Sequence, residues 1–126
     1  MRCQVTVDTT TGGKKTRISR EGNLQITTTG VTLSYAEETA NVTVTLQDGV
    51  AQMIRQGDYT LCMRFEKGKT TNATLSLGGN VGEMQTVTER IGYAIKDGEL
   101  SLHLKYTLLA TGDPQTMQVK IHAKEV

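Results

Sequence analysis

The sequence has no tryptophan, one phenylalanine, one proline and two cysteines among its 126 residues. Each scarcity excludes something. With four tyrosines and one phenylalanine as its only aromatics, the chain must build its core from aliphatic side chains and methionine. Cys3 and Cys62 are too few for a disulfide scaffold, so both are expected as reduced, packed thiols. No run approaches the ~20 apolar residues of a membrane helix. The start, Met1 to Val7, leads into strand pattern rather than the apolar stretch of a signal peptide, so the expected location is cytoplasmic, with no membrane partner. The formal net charge of +1 gives no overall field toward nucleic acid or acidic lipid.

What is abundant is threonine. There are 21 Thr, 10 Val and 6 Ile, so the chain is rich in β-branched residues that suit a pleated surface. Threonine covers a solvent-facing strand without making it greasy. Thirteen glycines punctuate the pattern, and no window shows a helical period beyond one turn near residues 36–41. The length fits a single domain, residues 1–126, with a core large enough to fold unaided.

Alternation predicts about ten strands, over 2–10, 15–28, 31–36, 41–47, 50–56, 59–66, 70–77, 83–96, 99–110 and 115–125. Gly22 inside the second suggests a bulge or sharp bend. Asp48-Gly49 and Asp97-Gly98 are two-residue hairpin signals, and Gly112-Asp113-Pro114 is the last turn. Short turns between successive strands make an antiparallel meander, and one this long removes its edges by closing. The fold class is therefore all-β: an antiparallel up-and-down barrel of about 8–10 strands with an apolar interior.

Counting from Asp97-Gly98 pairs Ile95 with Leu100, Tyr93 with Leu102, Ile91 with Leu104, Glu89 with Tyr106 and Val87 with Leu108. Glu89 then lies on the inward face, either reaching water at a rim or acting as a polar anchor in a ligand cavity. Arg55 is its natural partner. Counting from Asp48-Gly49 turns Arg55 and Met53 inward; counting from Gly57-Asp58 as a two-residue loop pairs Ile54 with Leu61 instead. One loop must be longer or carry a bulge, and the inward placement of Arg55 is adopted.

Chemistry-bearing constellations are sparse. His103 and His122 fall on outward faces without a third ligand, so no metal site is expected. Gly78-Gly79-Asn80-Val81-Gly82 precedes no helix and cannot cradle phosphate as a helix N-terminus does. No cofactor is implied. Arg2, Lys14, Lys15, Arg17 and Arg20 form a basic stretch without aromatic stacking platforms, so nucleic acid is not the expected partner. No acid, base and nucleophile can be assembled, and the protein is read as no enzyme.

Several segments stand together in a familiar order: Tyr35-Ala36-Glu37-Glu38, Ile54-Arg55-Gln56-Gly57, Leu61-Cys62-Met63-Arg64-Phe65, Gly82, Thr88-Glu89-Arg90-Ile91, and Gly98 through Tyr106 to Gly112. Over most of the chain this resembles the YwiB-like bacterial family of unknown function (domain of unknown function 1934). The resemblance implies a calycin-like, lipocalin-like closed barrel in a bacterial cytoplasm, and supplies no activity. Leu77-Gly78-Gly79-Asn80 departs from it, standing where the family usually has a tyrosine and then a threonine-proline turn.

The leading expectation is a binding module. A small apolar or amphipathic ligand would sit in the barrel, with Arg55, Glu89, Tyr93 and Tyr106 as polar contacts and Met53, Met63, Met84 and Met117 as adaptable lining. The alternative is a scaffold with a filled core that contacts a protein or RNA through its outer face, using Lys14, Lys15 and Arg17. A hydrolase or isomerase in the cavity would need a geometric acid–base pair, toward which Glu89 is the single candidate.

Overall fold

Residues 1–109 and 113–126 of this computed structural model are described, and they hold ten strands and no helix. The strands are β1 (Arg2–Thr11), β2 (Lys14–Ile26), β3 (Gly30–Ala36), β4 (Ala40–Gln47), β5 (Val50–Gly57), β6 (Thr60–Phe65), β7 (Thr70–Leu77), β8 (Asn80–Lys96), β9 (Glu99–Leu109) and β10 (Gln115–Glu125). Each pairs antiparallel with the next, and β10 returns to pair with β1 from Cys3↔Glu125 to Thr11↔Met117. The result is a closed up-and-down barrel. Ala110 and Gly112, in the expected ninth strand and last turn, lie outside the described residues.

The alternation that suggested strands is the alternation that fills the barrel. Val42, Val44 and Leu46 of β4 are buried, while Thr43 and Thr45 face outward. Leu100, Leu102, Leu104 and Tyr106 of β9 do the same opposite Val119, Ile121 and Ala123 of β10. Asp48-Gly49 and Asp97-Gly98 both have positive φ at both positions (53° and 76°, 52° and 75°). That is the turn geometry whose twist matches a two-residue hairpin.

Three local features differ from simple counting. First, β8 and β9 follow the expected register from Lys96↔Glu99 to Ile91↔Leu104 and then shift between Thr88 and Arg90. Glu89 is the extra residue of this β-bulge, so Thr88, not Glu89, stands opposite Tyr106, and Val87 faces Thr107. Second, β5 and β6 pair Arg55↔Leu61 and Gln56↔Thr60, so their connection is the three residues 57–59. This resolves the two conflicting counts. Arg55 stands opposite Val42 on the inward face. Third, Gly22 carries no bulge: it pairs with Cys3 on one side and opens the β2–β3 ladder opposite Tyr35 on the other. A Cβ there would run into the Ser34 carbonyl oxygen and crowd Val5 and Tyr35, so the glycine serves close backbone approach.

The meander gives the barrel two mouths. The upper mouth carries the connections at 12–13, 37–39, 57–59 and 78–79; the lower carries 27–29, 48–49, 66–69 and 97–98, together with residues 1 and 126. The core runs through the barrel between them, with Val5, Leu24, Leu33, Phe65, Leu100 and Leu104 fully buried. Phe65 and Tyr106 meet inside, ring centroids 4.7 Å apart and tilted by 50°.

Several strands are flanked along only part of their length: β6 and β7 pair with each other only over Thr60–Cys62 and Thr74–Ser76, and two longer stretches, in β2 and β8, have a strand on one side alone. β2 pairs with β3 only from Gly22 onward, leaving 14–21 with β1 alone among the described residues. β8 pairs with β7 only to Val87, with Thr88 bonded to Gly68 and Lys69, so 89–96 has β9 alone.

Candidate functional site

Inward positions near the upper mouth are apolar but incompletely covered. Ile18, Met53, Leu61, Met84, Leu108 and Met117 are partly buried and pack on the core beneath them. Three of the four methionines expected to line an interior site lie in this ring; Met63, directly opposite Met53, is buried. Unbranched thioether chains change rotamer cheaply, so a ring built from them adapts to an occupant more readily than one of valine or isoleucine.

Below the ring lie the two buried polar residues found among those described, Thr86 and Thr88, both 0 % exposed. Neither Oγ1 has a hydrogen-bond partner. They face Leu108 and Tyr106 across the β8–β9 ladder. An unpaired hydroxyl inside a protein costs about 1–3 kcal/mol, so two side by side mark a locally unsatisfied wall. Burial pushes the phenol of Tyr106 up to about 12. Tyr106 is thus where the sequence placed it, inside the barrel and un-ionised at neutral pH.

Arg55 also points inward, but it is occupied. Its side chain is 13 % exposed at the upper rim. One guanidinium nitrogen donates to Asp58 Oδ1 at 3.0 Å and to the Tyr59 carbonyl at 3.3 Å, and the other to Thr39 Oγ1 at 3.4 Å. The guanidinium lies 3.9 Å over the Tyr59 ring. This arginine clips the β3–β4 connection to the β5–β6 loop, and its partner is Asp58 rather than Glu89.

Glu89 and Tyr93 depart from expectation. The bulge turns Glu89 outward, where it meets Lys105 Nζ at 3.4 Å with 47 % of its side chain exposed. The one carboxylate proposed for the interior is therefore outside, and no charged side chain is buried among the described residues. Tyr93 does pair with Leu102, yet it is 52 % exposed. The reason is that β7 no longer flanks β8 at this level, so Tyr93 and Ile95 border a groove of about 180 Å³ at the lower mouth, across from Thr27–Val31 and Leu46–Asp48.

Thr86 and Thr88 are the residues that sequence reasoning missed. Unbroken alternation through β8 puts Val87 inside and both threonines outside. The available signal was Glu89-Arg90, two consecutive charged residues in a strand that otherwise alternates.

The outer face holds two broad grooves. One, of about 500 Å³, has a floor at Gly92, Ala94 and Ser101 and walls from Asp8, His103, Lys120 and His122. The other, of about 560 Å³, runs past Lys15, Arg17 and Lys120. His103 stands opposite Lys120, and His122 opposite Ser101, so the two histidines are offset by two positions on adjacent strands. His122 Nε2 lies 3.4 Å from Glu99 Oε2. His103 Nε2 is buried and unpaired, and partial burial, then Lys120 and Arg90, hold its pKa below the ordinary value. Among the described residues no three His, Cys, Asp or Glu side chains form a metal-binding group. Arg17 forks onto Asp8 at 2.6 and 3.1 Å, while Lys14 and Lys15 are exposed. Cys3 and Cys62 are both free, the first buried and the second half-buried. No helix is long and apolar enough to cross a membrane among the described residues.

The barrel is similar to the crystal structure of the YwiB protein from Bacillus subtilis, with a TM-score of 0.75 and 20 % sequence identity over 98 % of this chain and 91 % of that one. At that identity the likeness speaks for the fold. No curated protein matches the sequence. A family model does, along residues 2–122, and the chain belongs to the family described as Domain of unknown function (DUF1934).

Proposed function

We propose that the protein is a non-catalytic binding barrel that takes a small amphipathic molecule at its upper mouth. The reading is carried by the unpaired hydroxyls of Thr86 and Thr88 beneath a ring of half-buried methionine and leucine. A few polar groups set in an adaptable apolar wall are the usual make-up of a small-molecule site. The core under Phe65 and Tyr106 is filled, which confines the occupant to the upper part of the barrel and requires the methionines to move aside. Its polar end would bond the threonine hydroxyls and Tyr106; its apolar body would replace contacts among Met53, Met84 and Met117.

Native mass spectrometry of the purified protein, followed by titration with an anionic naphthalene fluorophore, tests this. One-to-one binding that is lost in Met117→Arg supports the site. A bare polypeptide mass with no fluorophore binding sinks it.

A second reading has its own observation. The outer face of β1, β2 and β10 offers a groove beside exposed Lys15 and Lys120, a surface suited to an acidic protein segment or RNA. Recovery of the same partners after charge reversal at Lys14 and Lys15 would count against it.

A further inference from the structure

We propose that β8, along 91–95, pairs antiparallel with β8 of a second copy of this chain, in the register that sets Gly92 against Gly92. The inference stands on the strand's free edge and does not depend on the upper-mouth site.

The direction of the free backbone groups follows from the turn. Asp97 and Gly98 form a two-residue turn with both φ positive, so Lys96 and Glu99, which flank it, exchange hydrogen bonds. Going back along β8, Ala94, Gly92 and Arg90 then also point their N–H and C=O groups at β9. Ile95, Tyr93 and Ile91 point theirs the other way. No strand lies on that side among the described residues, because β7 ends its pairing at Val87. Past the bulge the sense reverses, and Thr88 already bonds Lys69 and Gly68 on the β7 side, with N···O distances of 3.1 and 2.9 Å. Three alternate residues on one edge thus present six backbone groups with no partner among the described residues.

The two longest part-flanked stretches, in β2 and β8, treat this exposure differently. Along 14–21 β2 carries Lys14, Lys15, Arg17 and Arg20, the charges that keep an edge from pairing. The corresponding stretch of β8 reads Ile-Gly-Tyr-Ala-Ile, uncharged between Arg90 and Lys96. Tyr93 and Ile95 are exposed beside it. This is the composition of an edge that pairs.

Charge and shape select both the occupant and the register. A two-fold antiparallel pair must set a residue against its own counterpart. With Tyr93 at the centre, Arg90 would oppose Lys96 and Glu89 would oppose Asp97, which is repulsive at four places. With Gly92 at the centre, Ile91 opposes Tyr93 twice, giving apolar pairs on one face. Arg90 opposes Ala94, and outward-facing Glu89 falls beside the second copy's Lys96. Gly92 then sits at a non-hydrogen-bonded position, where the two backbones come closest. Nothing lies within 4 Å of where its Cβ would be, so the space is open. A seam of this length buries little area, and the association is accordingly concentration-dependent.

Sedimentation velocity over a range of concentrations, with amide hydrogen exchange at both ends of the range, tests the pairing. The expected result is a monomer–dimer equilibrium in which the amides of Ile91, Tyr93 and Ile95 gain protection as the dimer fills. Tyr93→Lys should weaken dimerisation roughly tenfold or more while leaving the barrel intact. In a Cys62→Ser background, Gly92→Cys should oxidise to a covalent dimer and Ala94→Cys should not, because only residue 92 faces itself at disulfide distance. A monomer at every concentration, or a dimer unmoved by Tyr93→Lys, overturns the proposal. Efficient crosslinking through Ala94→Cys overturns the register.

Discussion

Thr88 stands opposite Tyr106 on the inner wall of the barrel, its hydroxyl fully buried and unpaired. Thr88→Val replaces that hydroxyl with a methyl of similar size. Removing an unsatisfied polar group should raise stability by about 1 kcal/mol in urea denaturation without ligand. The same change should weaken any occupant of the upper mouth. Destabilisation instead would mean that the hydroxyl has a partner, such as an internal water.

Arg55 joins two loops through a planar fork, and lysine cannot reproduce it. Arg55→Lys should lower stability by about 1–2 kcal/mol through loss of the Tyr59 stacking and carbonyl contacts. The Arg55 hydrogen bond also holds the Asp58 carboxyl below its ordinary 3.8. This contribution is present above the unfolded value and is lost as pH falls through the lower folded one. The stability difference between wild type and Arg55→Lys should therefore narrow toward low pH, leaving the part carried by Tyr59.

Tyr35 and Tyr106 set the alkaline limit. Burial pushes both phenols from 10 up to about 12, helped at Tyr35 by Glu37. Above pH 10 the unfolded chain loses these protons first, so stability is whole below 10 and declines between 10 and 12. Tyr106→Phe should flatten part of that decline. Tyrosinate absorbance should show Tyr35 and Tyr106 titrating late.

Gly22→Ala should cost about 2 kcal/mol or more, since the new methyl meets the Ser34 carbonyl across the β2–β3 ladder. Gly92→Ala, with open space at its Cβ, should cost far less. Thermal melts of the two variants give the contrast directly.

Much of the barrel was legible because its strands have one wet face and one dry face. Leu100, Leu102, Leu104 and Tyr106 could be placed inside from alternation alone, and Asp97-Gly98 set the register as far as Ile91. Legibility ended at Glu89. A bulge adds one residue without changing composition, and every side chain beyond it changes face. Tyr93 failed differently: its face was right, but exposure depends on whether a neighbouring strand reaches that level, which is tertiary information. Arg55 was ambiguous until the length of its loop was known. The threonines beneath the upper mouth were hidden for the same reason that Glu89 was misplaced.

The seam between β1 and β10 has a consequence for how the protein is made. It joins Cys3 to Glu125, so β1 gains its second neighbour only with the tenth strand of the meander. During synthesis the growing meander stays an open ribbon with its first strand exposed until the tenth has emerged. Closure by so distant a pairing is slow. A pause before β10 would leave β1 and β9 available to other nascent chains, which makes the interval before β10 emerges a period of high aggregation risk.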